Sequence, residues 1–196
     1  MSQLSLFSAG ARPPQPGDLA GLLCGPGQIV RFGSGDTARL SVVLADPRRA
    51  PAVVAACVAV GIDAEPTVTG SGATAVRTTF RRDLVGLARS WTRGAVKTVP
   101  SGMQLDGAVL RVWMVAAGRW DGRGVDLLLD PHAPQTHLAL IAAATRAGIP
   151  PARSGRGTAL RITGNRRIRR FVELVGAPPT GLAPDEWPGA GAGADG

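Results

Sequence analysis

The stretch Leu19-Ala20-Gly21-Leu22-Leu23-Cys24-Gly25-Pro26-Gly27 decides how the rest of the chain is read. It is an apolar helical run that Pro26 and Gly27 terminate, and Asp18 stands where it can cap the helix N-terminus. A second copy of the same character lies downstream, Leu110-Arg111-Val112-Trp113-Met114-Val115-Ala116-Ala117-Gly118. Both runs are apolar, rich in small residues and closed by glycine. Gly21 and Ala116 are the places where two such helices can approach closely.

Beyond the two runs an offset of 84 residues recurs. Asp46-Pro47 returns as Asp130-Pro131, Arg39 as Arg123, and Thr74-Ala75-Val76-Arg77 as Thr158-Ala159-Leu160-Arg161. The apolar set Leu84, Leu87, Ala88, Trp91 returns as Ile168, Phe171, Val172, Val175. Gly61-Ile62 matches Gly148-Ile149, with three extra residues in the second copy. Repeats fix architecture before any local reading does. This period is too long for a solenoid and fits an α/β (α+β) fold, a pseudo-symmetric duplication of an αββαββα unit.

The quoted nonapeptide resembles the signature helix of LAGLIDADG homing endonucleases, letter by letter except near its end. The resemblance implies two lobes whose signature helices pack along a pseudo-dyad and whose sheets straddle duplex DNA. In the endonucleases the last acid of the motif holds the metal that activates water. Pro26 and Ala117 occupy that position here, so the resemblance implies a nuclease fold without its cutting chemistry. From Asp18 to Ala177 the chain also resembles the LAGLIDADG-like domain of the bacterial regulator WhiA, through Val112–Gly118 and Phe171-Val172-Glu173-Leu174-Val175-Gly176-Ala177. The helix-turn-helix domain that follows in WhiA has no counterpart in the sequence, so promoter reading is not expected.

Composition fits one intracellular, two-lobed domain. The 22 basic residues against 14 acidic ones leave a net charge of +8, and Lys97 is the only lysine. A GC-rich genome would also produce this many arginines, so their distribution matters more than their number. Arg153 to Arg170 holds seven arginines and no acid, and Arg77 to Lys97 holds six bases against Asp83. These segments are equivalent in the two repeats, a pattern expected of phosphate attraction. Cys24 and Cys57 form no CxxC pair, the N-terminus lacks a signal-peptide pattern, and the apolar run Ala50–Ile62 is too short to span a bilayer. A cytoplasmic, nucleoid-associated protein with no cofactor and no membrane partner is expected, monomeric through its internal pseudo-symmetry.

Five segments follow. Residues 1–17 are a Pro- and Gly-punctuated mobile leader, 18–95 the first lobe, 96–106 a linker, 107–177 the second lobe, and 178–196 a disordered tail. In the first lobe, strands are expected around Ile29–Phe32 and Ala38–Ala45, joined by the turn Gly33-Ser34-Gly35-Asp36. Asp46 and Pro47 should open a helix that Gly61 stops. A hairpin should turn at Gly70-Ser71-Gly72, and its return strand should carry Val76 and Arg77. Leu84, Leu87, Ala88 and Trp91 should line one face of a closing helix.

Candidate DNA contacts are Arg39, Arg77, Arg123 and Arg161, which recur in both lobes on expected strands. Arg166, Arg167, Arg169 and Arg170 flank the apolar stripe of the last helix and are either phosphate contacts or a solvated face. In the leader, Gln3-Leu4-Ser5-Leu6-Phe7 resembles the pentapeptide with which bacterial replication and repair proteins dock on the sliding clamp. Gln3 would bond at a pocket rim while Leu4, Leu6 and Phe7 supply apolar anchors. The alternative is that these side chains pack back onto the domain. His132 and His137 with Asp130 have poor spacing for a metal, and Asp36, Asp121 and Asp126 lie away from the signature ends. Three readings compete: a non-cutting DNA-binding accessory or regulatory factor, a protein-interaction module that has lost DNA binding, and an active nuclease with rearranged acids.

Overall fold

The computed structural model describes residues 8–153 and 158–189. The first signature run begins as a 3₁₀ turn, Pro16–Leu19, and continues as α1 (Ala20–Cys24). There follow β1 (Gln28–Phe32), β2 (Thr37–Val43), α2 (Ala50–Ala59), β3 (Ala64–Val68), β4 (Thr74–Thr78) and α3 (Val85–Trp91). A small hairpin, β5 (Thr92–Arg93) and β6 (Val96–Lys97), leads out of this lobe. The second lobe repeats the order: α4 (Gly107–Ala117), β7 (Gly118–Trp120), β8 (Gly124–Leu128), α5 (His137–Arg146), β9 (Ala152–Arg153), β10 (Ala159–Thr163) and α6 (Asn165–Val175). The duplicated αββαββα unit is therefore present among the described residues.

Each lobe holds an antiparallel four-stranded sheet with the same strand order, β1-β2-β4-β3 and β7-β8-β10-β9. Alternation along the strands explains how the sheets sit. Ile29, Leu40 and Val42 of the first sheet and Val125, Leu127, Leu160 and Ile162 of the second are buried against the helices. Residues of the opposite parity face outward. Register aligns one outward row in each sheet: Gln28, Ser41, Arg77 and Glu65 in the first, Arg119, Asp126, Arg161 and Ala152 in the second.

The lobes meet through α1 and α4. A Cβ at Gly21 would lie 2.3 Å from the Val109 carbonyl oxygen and 2.7 Å from the Val112 Cβ, so only glycine permits this approach. The residue closing each run also has no room for a side chain. A Cβ on Gly27 would meet the Leu22 carbonyl oxygen at 2.3 Å, and one on Gly118 the Met114 carbonyl oxygen at 2.6 Å. Trp91, Trp113 and Phe171 fill the core around this helix pair.

The helix starts follow their sequence signals. The Asp46 carboxylate accepts the Arg48 N–H at 3.0 Å and the Asp130 carboxylate accepts the His132 N–H at 2.9 Å, capping the turns that lead into α2 and α5. Asp18 caps differently from expectation. It is the third residue of its 3₁₀ turn, and its carboxylate reaches back to the Gln15 N–H at 2.9 Å.

Two expectations need correction. The leader is tied down from Ser8 onward: the Ala9 N–H donates to the Leu174 carbonyl at 2.8 Å, and Arg12 bridges Asp18 and Asp106. Residues 178–189 are docked rather than disordered, because Trp187 is buried and its Nε1 donates to the Gly176 carbonyl at 2.8 Å. Arg111 stacks over the Trp187 ring at 5.5 Å. Residues 96–106 join the lobes, beginning in β6 and carrying the buried Lys97. Among the described residues no helix is long and apolar enough to cross a membrane.

Candidate nucleic-acid interface

Each signature helix ends in backbone carbonyls, and each set is met by a buried cation. Lys97 Nζ donates to the carbonyls of Gly25 at 2.6 Å and Gly27 at 2.8 Å, and pairs with Asp130 at 3.0 Å. Arg49 Nη1 donates to the carbonyls of Met114 at 2.9 Å and Val115 at 3.0 Å. Positive charge suits the negative end of a helix dipole, and the Met114 carbonyl accepts from Arg49 in addition to the Gly118 N–H. Burial pulls both groups below their ordinary pKa values; for Lys97 the hydrogen bond and charge of Asp130 oppose that shift. Gln28 Nε2 adds a 2.6 Å bond to Asp130.

This donor set does not fit the divalent metal that the signature implies. Pro26 brings no side-chain ligand atom, and Ala117 fills its place with a methyl group 3.1 Å from where a Cβ on Gly25 would stand. Of the nearby carboxylates, Asp130 is engaged by Lys97, Gln28 and the His132 N–H, while Asp46 and Glu186, whose charges act on Arg49, both pair with Arg48. His137 Nε2 donates to the Asp130 backbone carbonyl at 2.8 Å, so the two histidines serve this capping turn. Burial pushes the Cys24 thiol up and that of Cys57 to about 12, leaving neither as a thiolate near neutral pH.

The outward sheet faces hold the sequence-derived arginines in unequal settings. Arg39 lies on β2 and Arg77 on β4, both facing outward from the first sheet. Neither makes an ion pair among the described residues. Arg39 instead stacks over the Phe80 ring at 4.6 Å, and Phe80 packs on Phe32 with centroids 5.1 Å apart. In the second sheet Arg161 is clasped by Asp126 at 2.9 Å and Asp121 at 2.6 Å. Its hydrogen bond holds the Asp121 carboxyl down at about 2.

Arg123 is not on a strand. It sits in the β7–β8 turn, and Gly124, two residues before Asp126 as Arg39 is before Ser41, stands in the place of Arg39. Arg166, Arg167 and Arg169 are exposed on α6. Arg167 reaches the Thr163 carbonyl, and Arg170 pairs with Glu173 at 3.3 Å. Because α6 packs on α4 and the inner side of β10, these arginines lie on the helix side of the molecule, away from the outward rows. Gln3, Leu4, Leu6 and Phe7 lie outside the described residues.

Sequence reasoning missed Arg119, Phe32, Phe80, Arg49 and the Lys97–Asp130 pair. Period-two alternation of β1 around Ile29 would have turned Phe32 outward, and the uniqueness of Lys97 was visible without its meaning. Arg119 directly follows the second signature glycine, as Gln28 follows the first, a parallel that the 84-residue offset does not expose.

The chain matches no family model and no curated protein. Among solved structures it is similar to the homing endonuclease I-WcaI bound to its DNA recognition sequence, with a TM-score of 0.56 and 13% identity over 89% of this chain and 83% of that one. It is also similar to I-DmoI in complex with DNA and Mn, with a TM-score of 0.45 and 12% identity over 83% of this chain and 96% of that one. The fold is that of the LAGLIDADG homing endonucleases.

Proposed function

We propose that this chain binds double-stranded DNA across its outward sheet faces and does not cut it. The observation that carries the reading is a buried cation on the carbonyls at each signature-helix end, where no signature carboxylate stands. Lys97 and Arg49 occupy the carbonyls there, Pro26 and Ala117 offer no side-chain ligand, and Asp130 is consumed by its own partners. A divalent ion would have to compete with two fixed positive charges. DNA binding itself is supported by Arg39 and Arg77 on the first sheet and by the DNA that I-WcaI holds on the same fold.

The finer role is that of an accessory or regulatory factor in DNA transactions, of the WhiA type, brought to its place by the sliding clamp through Gln3–Phe7 and working as a monomer. The reading of a pure interaction module draws on one observation, the neutralised Arg161.

One experiment tests the core. Supercoiled plasmid incubated with pure protein and magnesium or manganese should stay intact, while labelled duplex should be retained with an affinity that falls steeply with salt. Nicking that disappears with Asp126→Asn or Asp121→Asn overturns the non-cutting assignment. Absence of duplex binding at low salt overturns the DNA assignment. Repeating the titration with purified clamp, with and without the first ten residues, tests recruitment; equal clamp binding by the two forms overturns it.

A further inference from the structure

The chain has four phenylalanines. Phe171 fills the core, and Phe7 lies outside the described residues. The other two, Phe32 and Phe80, stand together on the outward side of the first sheet, at 65% and 39% exposure. Phe32 follows Gln28 and Val30 at the outward parity of β1, and the exposed Val30 extends the apolar surface along that strand. A contiguous exposed apolar patch marks an interaction surface. What sets this one apart is the charge inside it. The Arg39 guanidinium lies over the Phe80 ring at 4.6 Å, Arg77 stands on the same face, and neither meets a carboxylate in an ion pair among the described residues.

Aromatic faces interleaved with unneutralised arginines on an open sheet suit one ligand chemistry. The rings stack on bases while the guanidinium groups take phosphates. In an intact duplex the base faces are covered by their neighbours, so Phe32 and Phe80 would gain nothing from it beyond groove contacts. In a single strand the same faces are free. A protein partner would gain from the rings and Val30 but would leave Arg39 and Arg77 without the counter-charges that a phosphate chain supplies at regular spacing. The second lobe offers no equivalent. Its outward row is Arg119, Asp126 and Arg161, and Trp120 is turned inward against the core.

Resting on the DNA-binding reading above, we infer that the first-lobe sheet is a stacking platform for unpaired bases, and that single-stranded DNA is a ligand of this face in its own right. One base stacks on Phe32, whose ring Phe80 buttresses, Arg39 takes the neighbouring phosphate from its seat over the Phe80 ring, and Arg77 takes a phosphate further along.

The test uses the full chain and one DNA strand carrying 2-aminopurine, compared with the same strand in a duplex at the same salt. The single strand should bind more tightly than the duplex and its 2-aminopurine should be quenched. Replacing both Phe32→Ala and Phe80→Ala should weaken single-strand binding by about tenfold, the loss of one stacked base, and change duplex affinity by less than about twofold. Phe32→Trp should keep the single-strand affinity. Both rings are exposed, so melting curves should confirm that the alanine variant is folded. Unchanged single-strand affinity in the folded double variant overturns the platform, as does equal affinity of wild type for strand and duplex, and in both cases duplex binding stands. Binding to neither overturns the platform together with the DNA reading. A protein partner captured through Phe32 and Phe80, with strand binding unaffected by their loss, overturns the platform in favour of a protein interface.

Discussion

Arg77 in the first lobe and Arg161 in the second occupy the same point of the same outward row, yet their surroundings differ. Arg77 has Ser41 on one side and Glu65 on the other, and makes an ion pair with neither. Arg161 faces Asp126 directly and takes a second carboxylate from Asp121 in the preceding turn. Toward Arg39 the first face is apolar and aromatic, with Phe32 and Val30 exposed, whereas the second face is charged and internally neutralised. The difference teaches that duplication preserved the scaffold and not the surface. A dyad-related pair of arginines need not be a dyad-related pair of DNA contacts, because charge available to a phosphate is what remains after local pairing.

The largest effect should come from breaking the joint that presents both faces on one body. Lys97 ties the carbonyls ending the first signature helix to Asp130 of the second lobe, and both side chains are almost fully buried. Lys97→Met would leave Asp130 as an uncompensated buried charge. Such losses cost about 3–5 kcal/mol, a drop of roughly 10 °C in Tm for a chain of this size. Lys97→Met combined with Asp130→Asn should recover much of the loss, since the unpaired charge is then gone. A single variant that melts with the wild type would show that the pair does not hold the lobes.

The comparison of faces is sharpened by titrating duplex DNA against two sets of alanine variants. Arg39→Ala with Arg77→Ala should make the slope of log affinity against log salt shallower by about 2, one for each phosphate no longer neutralised. Arg161→Ala should move it far less, because that guanidinium is already spoken for by Asp121 and Asp126. Equal losses from the two lobes would mean that DNA displaces the carboxylates and that the faces are equivalent after all.

Much of this architecture was legible in the sequence, and the reason is local. The glycine-closed runs, the Asp-Pro helix starts and the turn at Gly33–Asp36 each encode structure within a few residues, and the repeat multiplied the signal. What escaped depends on contacts distant in sequence. Nothing near Trp187 announces that it docks beside Arg111, and nothing near Ala9 announces its bond to Leu174. Lys97 was conspicuous as the sole lysine, but its meaning lay in Gly25, Gly27 and Asp130. Arg123 misled for another reason. A constant offset aligns residues only while both lobes keep equal lengths, and the hairpin after the second signature does not, which puts Gly124 where Arg39 should recur. Neutralisation of Arg161 could be read only from register, since Asp126 faces it from the neighbouring strand.

The smallest effect tests the asymmetry from its other side, by releasing Arg161. Asp121→Asn removes the carboxylate that bonds it at 2.6 Å while leaving the exposed turn intact, because the same residue's amide oxygen can still accept the Arg123 and Gly124 N–H groups. Duplex affinity should rise and the salt slope should steepen by at most about 1, since Asp126 still holds the other side of the guanidinium. The same variant carries a pH signature whose sign is fixed. Arg161 holds the folded Asp121 carboxyl down at about 2, below its unfolded value near 4, so the native state favours its ionised form. That contribution is fully present above about pH 4 and is lost as pH falls through about 2. Wild type and Asp121→Asn should therefore differ in melting temperature near neutral pH and converge toward pH 2. The gap should be small, because Asp121 is exposed and solvent screens the pair. A gap that widens on acidification, or a variant with weaker duplex binding than wild type, would mean that Asp121 is not what withholds Arg161 from the phosphate chain.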